Sequence, residues 1–315
     1  MEKKSYAARE AFTLEIKKMV SEKVGTEYQV ERLTAGKNNG VIKETLHVSR
    51  KSSDYALSFY LEELYRSYCK GISTEALSEN IAEIVREEDR TPVQIQEFLS
   101  RSWVEENLFL RLVNFEKNLE QLKDAVYVRR LDLAAVFYVL TEQGEGGIKS
   151  FRLPRELWER MGLGDAEEYF EHILENTERL FPAELKRIED SLAECIRKEG
   201  GTEPEWLKKE LQEESRENGR SLFYVLTNRQ KLNGAIALFY PGLLSRLEEK
   251  FHGGFYLIPS SIHEMLLLAE SEEAEAGELN QMVREVNESH VIPEEILSDH
   301  VYYYRKSCGL CSRLG

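Results

Sequence analysis

The densest group of reactive side chains is Pro259-Ser260-Ser261-Ile262-His263-Glu264, set between the apolar stretches Phe255–Ile258 and Met265–Ala269. A serine, a histidine and a carboxylate are the parts of a nucleophile, a general base and an orienting acid. Such a relay needs side chains that converge from separate elements. Residues two or three apart on one bend rarely aim at each other, and no Gly-x-Ser-x-Gly elbow surrounds either serine. The spacing therefore predicts a turn between two strands, tied down by hydroxyl-to-backbone hydrogen bonds. The alternative is a hydrolase or metal-dependent enzyme that uses Ser260, Ser261, His263 and Glu264, with Asp299 as a further acid.

Metal and cofactor chemistry find little support in the pattern. His263-Glu264 would need a second histidine at position 267 to make the zinc-protease pair, and that position is Leu267. Cys308-Gly-Leu-Cys311 has the spacing of half a zinc knuckle without a second pair. Neither phosphate-binding glycine loop occurs. The reading assigns no catalytic residue, metal or cofactor. It takes Asn38, Asn39, Asn228, Ser260, Ser261, His263, Glu264 and Asp299 as contacts for a ligand or partner.

The elements that must carry these residues read as α+β: mixed or antiparallel sheets with flanking helices. Ala8, Phe12, Ile16, Met19, Val20 and Lys23 recur at helical spacing before Gly25. Two alternating runs flank Asn38-Asn39-Gly40, which predicts a hairpin. Tyr127–Leu140 reads as one long buried strand, and Gly234–Tyr240 as another. Residues 184–220 are rich in charge and read as a helical linker. The expected organisation is an N-terminal region over 1–183, the linker at 184–220, a C-terminal region over 221–306, and a free tail at 307–315.

Composition limits the partners. With 42 Lys+Arg against 57 Asp+Glu the formal charge is −15, which argues against binding a phosphate backbone. The longest apolar run, Leu133–Leu140, falls well short of the about 20 residues a membrane helix needs. The charged start Met1-Glu2-Lys3-Lys4 lacks a signal peptide's apolar stretch, and the chain holds only 4 cysteines. These features predict a reduced, cytoplasmic protein.

Several segments together carry a resemblance: Lys37-Asn-Asn-Gly40-Val41, Tyr224-Val-Leu-Thr-Asn228, Gly234-Ala235, Pro259–Glu264, Val283-Arg-Glu-Val-Asn287, and Leu297-Ser-Asp299 with Val301-Tyr302. In this order they resemble the bacterial domain-of-unknown-function family 5688, from the first helix to about Tyr304, leaving Cys308 and Cys311 outside. The resemblance implies a cytoplasmic bacterial protein and assigns no reaction. The resulting expectation is a non-enzymatic module that binds another protein or a small ligand.

Overall fold

The computed structural model describes residues 2–51, 56–90, 100–144, 147–198, 200–213, 223–271 and 275–312. Among the described residues, three antiparallel sheets with flanking helices make the fold α+β. The chain divides into two compact units, Met1–Glu97 and Phe98–Gly315. No helix among the described residues is long and apolar enough to cross a membrane.

In the first unit, helix α1 (Glu2–Val24) leads into strands β1 (Tyr28–Gly36), β2 (Ile42–Arg50) and β3 (Ala56–Tyr60), then helices α2 (Leu61–Cys69) and α3 (Thr74–Arg90). Phe12, Ile16 and Val20 form the buried stripe of α1, and they share a core with Leu46 and Val48 of β2 and Ile81 and Val85 of α3. The β1–β2 hairpin is in register from Tyr28↔Arg50 to Gly36↔Ile42. Its connection puts Asn39 at φ 59° and Gly40 at φ 71°, the conformations expected of Asn and Gly in a tight turn.

The second unit opens with α4 (Arg101–Asn107), β4 (Leu108–Asn114), α5 (Leu119–Leu122), β5 (Tyr127–Arg130), β6 (Leu133–Gly144), β7 (Gly147–Arg152), α6 (Arg155–Arg160) and α7 (Ala166–Leu180). It continues with β8 (Ala183–Arg187), α8 (Ile188–Lys198), α9 (Glu205–Glu213), β9 (Phe223–Asn228) and α10 (Leu243–Phe251). Strands β10 (Phe255–Ser261) and β11 (Glu264–Ala269), helix α11 (Ala276–Ser289), and strands β12 (Tyr302–Arg305) and β13 (Gly309–Ser312) complete it. β6 pairs with β4, β5 and β7 in one sheet, and the other runs β13-β12-β10-β11-β9-β8. Leu110, Phe137, Leu226, Met265 and Tyr302 belong to one core shared by the two sheets.

Two strand expectations need correction. The long strand at Tyr127–Leu140 is a hairpin, because Leu131 turns the chain at φ 57°. Gly234–Tyr240 is not a strand: Gly234–Phe239 is a 3-10 helix with Gly234, Ala235, Ile236, Ala237 and Leu238 all buried. A run buried on every side has no periodicity by which sequence could separate helix from strand. The boundary between the two compact units follows Glu97. The described part of the expected linker is built into the second unit, since β8 pairs with β9 from Ala183↔Asn228 to Arg187↔Tyr224 and Ala193 and Leu207 are buried; residues 199 and 214–220 lie outside the described residues. The expected tail also joins the fold, as β13 pairs with β12 from Tyr302↔Ser312 to Arg305↔Gly309, with residues 313–315 outside the described residues.

The turn at Gly40 yields a first prediction. Gly40 has open space where a Cβ would stand, so a side chain there meets only the penalty of its positive φ. Gly40→Val should destabilise the first unit by about 1–2 kcal/mol, seen as a lower midpoint in urea unfolding of the full chain. An unchanged midpoint would contradict this turn assignment.

Candidate functional site

The polar segment forms the tip of the β10–β11 hairpin. The strands are in register at Pro259↔Met265 and at Ser261↔Glu264, with a shift between the two that offsets Ser260. Ile262 inserts its side chain into the core. Its N–H donates to the Glu295 carbonyl at 2.9 Å, and its carbonyl accepts from the Ala235 N–H at 3.3 Å. The His263 carbonyl accepts from the Thr227 hydroxyl at 2.8 Å, and the His263 N–H donates to Ser261 Oγ at 3.0 Å. The turn's backbone groups are thus met by named partners, as burial demands.

The imidazole of His263 completes the fastening. Its Nδ1 accepts from the Asn233 N–H at 3.0 Å. A backbone amide can only donate, so Nδ1 carries no proton and Nε2 does. Nε2 faces Glu295 Oε1 at 3.5 Å. Neither Ser260 nor Ser261 is hydrogen-bonded to the ring. Gly234 makes this junction possible: a Cβ there would stand 2.3 Å from Thr227 Oγ1, 2.6 Å from the Asn228 nitrogen and 2.6 Å from the His263 carbonyl oxygen.

Ser260 and Glu264 serve a different place. Strand alternation puts Leu185, Leu226 and Met265 on the core side of the six-stranded sheet and therefore Lys186, Val225 and Leu266 on its outer side. Beside them Glu184 pairs with Thr227, and Glu264 precedes the Met265–Leu226 pair. Helix α8 covers this part of the outer face and leaves a cleft of about 360 Å³, walled by Ile188, Leu192, Val225 and Leu266. Ser260 and Glu264 line it, with the Ser260 hydroxyl donating to Glu264 Oε1 at 3.1 Å.

Charge around the cleft is organised by Glu194. Lys186 Nζ donates to both its oxygens at 3.2 Å, and Lys231 Nζ donates to Oε2. Lys231 first, then Lys186, holds the Glu194 carboxyl down at about 2 instead of its ordinary 4.5. Burial works against the charge on Lys186, but Glu194 and Glu184 outweigh it and raise its pKa. Glu184 Oε2 lies 3.3 Å from Lys186 Nζ.

The remaining expected contact residues are not gathered here. Asn38 and Asn39 belong to the hairpin turn of the first unit. Asn228 is buried and ties its own loop, donating to the Leu232 carbonyl at 2.8 Å and accepting from the Leu232 N–H at 3.3 Å. Asp299 accepts from Lys117 at 2.7 Å and from Asn287 at 3.0 Å; burial opposes its ionisation, but these partners overcome it and lower its pKa. Close by, Asp132 accepts from the hydroxyls of Ser298 and Tyr302, both at 2.7 Å, and faces His300 Nε2 at 3.2 Å. That network clamps the β5–β6 turn to the segment before β12. Nothing in the sequence flagged Asp132, because its partners lie at the far end of the chain. Glu184, Lys186, Leu192 and Lys231 were missed because the pairing of β8 with β9 that brings them to one face has no local signal. Among the described residues no group of three or more His, Cys, Asp or Glu side chains could hold a metal ion.

Fold and site define an α+β protein with a charge-bordered cleft under one helix. The chain belongs to DUF5688, a family of unknown function whose model matches residues 9–306. No curated protein and no solved structure matches it.

Two outcomes follow from this geometry. Gly234→Ala should force the turn off the β9 end and destabilise the protein by about 1–3 kcal/mol, measured by thermal or urea unfolding; a wild-type midpoint would contradict the close approach. A depressed carboxyl stabilises the fold above its unfolded pKa and loses that contribution as pH falls through its folded one. Acidification between about pH 5 and pH 2 should therefore remove the contribution of Glu194, and Glu194→Gln should flatten that part of the stability–pH curve. An identical slope in the variant would speak against the Lys186–Glu194–Lys231 arrangement.

Proposed function

We propose that the protein is a non-catalytic binding module and that its ligand is a small molecule seated in the cleft between α8 and the outer face of β8, β9 and β11. The observation that carries this reading is the division of the Ser260–Glu264 hairpin tip. His263 is committed to the Asn233 N–H, whereas Ser260 and Glu264 line a cavity. A general base has to reach the proton it removes, directly or through one water. The Nδ1 lone pair of His263 is already engaged, and its Nε2 proton faces a carboxylate. The cleft has what a small-molecule site requires, apolar walls and a few polar groups at fixed positions. Free thiols at Cys69, Cys195, Cys308 and Cys311 support a reducing, cytoplasmic setting.

Leu192→Trp fills the cleft from α8, at a position whose side chain is substantially exposed, so folding should survive. In ligand-observed NMR with a fragment collection, the wild type should give hits that Leu192→Trp loses and that folded His263→Ala retains. Hits indifferent to Leu192→Trp would overturn the cleft as the binding site. Hydrolysis of a model ester that disappears in folded His263→Ala would overturn the non-catalytic reading.

A further inference from the structure

Building on the cleft as the binding site, we infer that its ligand is a small primary amine, bound as the ammonium ion with an aliphatic or aromatic body. Three carboxylates, Glu184, Glu194 and Glu264, border this part of the sheet against two ammonium groups, Lys186 and Lys231. Both lysines converge on Glu194. Glu184 Oε2 shares the Lys186 ammonium, at 3.3 Å, with Glu194 at 3.2 Å. Glu264 forms no ion pair among the described residues; its partner is the Ser260 hydroxyl.

The positions of the two carboxylates suit a cationic donor. Glu184 pairs with Thr227 on β9, and Glu264 precedes the Met265–Leu226 pair on the other side of that strand, so the strands that carry them lie two spacings, about 10 Å, apart. The apolar walls run alongside, with Val225 and Leu266 below and Ile188 and Leu192 above. A ligand body resting on those walls displaces water from Glu264. A carboxylate that loses water needs a charged donor in exchange. An ammonium ion supplies it. An alcohol supplies a weaker donor, and an anionic ligand would meet carboxylates whose neighbouring lysines are already taken.

The test titrates isoamylamine and 2-phenylethylamine, each beside the alcohol and the carboxylic acid of the same carbon skeleton, against the full chain by ligand-observed NMR. The same titrations use Glu264→Gln and Leu192→Trp, with melting curves as the folding control. The amines should bind about tenfold or more tightly than the alcohols, with the acids weakest. Glu264→Gln should bring amine and alcohol close together, and Leu192→Trp should weaken all binding. Cys195, which lines the cleft, should react more slowly with iodoacetamide when amine is present.

Outcomes against the inference separate its two layers. Alcohols or acids that bind the wild type as well as the amines, and lose binding in Leu192→Trp, would overturn the amine inference while leaving the cleft reading intact. Amine binding that is unchanged in Leu192→Trp, or no binding by any of the six compounds, would overturn both. The comparison within the wild type needs no variant to fold.

Discussion

The arrangement depends on a close backbone approach at Gly234. The 3-10 helix that starts there lies against the end of β9 and the β10–β11 turn at a separation that leaves no room for a β-carbon. Because the chains meet so tightly, the Asn233 N–H reaches the His263 ring and the Ala235 N–H reaches the Ile262 carbonyl. Thr227 adds its hydroxyl from β9. Ile262 is held in the core by the same contacts, and the hairpin tip becomes a fixed part of the sheet. The most reactive-looking histidine of the chain thereby serves as a hydrogen-bond acceptor in a structural joint.

Fixing the tip also determines what the neighbouring side chains do. The register shift between Pro259 and Ser261 offsets Ser260, which reaches across to Glu264 on the cleft side. Cleft and joint are consequences of one alternation: residues on the inner side of β8, β9 and β11 complete the core, and those on the outer side meet α8. The cleft borrows rigidity from the sheet and its electrostatic character from Glu194, which draws in two lysines and leaves Glu264 without one. At the other end of the same sheet, Asp132 accepts from the Ser298 and Tyr302 hydroxyls, with His300 beside it, and anchors the segment entering β12. That segment carries Asp299, whose ion pair with Lys117 belongs to this anchor.

Local signals in the sequence were strong where structure is locally determined. The stripe of α1 and the Asn38-Asn39-Gly40 turn were legible because their spacing and positive φ depend on neighbouring residues alone. So was the bend between Phe255–Ile258 and Met265–Ala269, where the Ser261 hydroxyl bonds the backbone as expected of both serines and Ser260 instead meets the Glu264 side chain. Long-range pairing was not legible. Glu184-Leu185-Lys186-Arg187 reads as the start of a charged helical stretch; it is a strand because β9 offers it an edge, with Leu185 inward and Glu184 and Lys186 outward. Gly234–Phe239 misled in the opposite way, since an apolar run buried all round carries no period. Half of the cleft was therefore hidden in a segment that looked like a connector. Ser260 and Glu264 were found by type, while what they face could come only from the fold.

The account rests on His263 being held as an acceptor. Heteronuclear NMR on protein labelled with ¹⁵N at histidine tests this directly by reporting which ring nitrogen bears the proton. The arrangement predicts the Nε2–H form, with a coupling across the hydrogen bond from the Asn233 amide to Nδ1. A proton resident on Nδ1, or a ring exchanging freely between the two forms near neutral pH, would contradict it and return His263 to the set of groups available for chemistry.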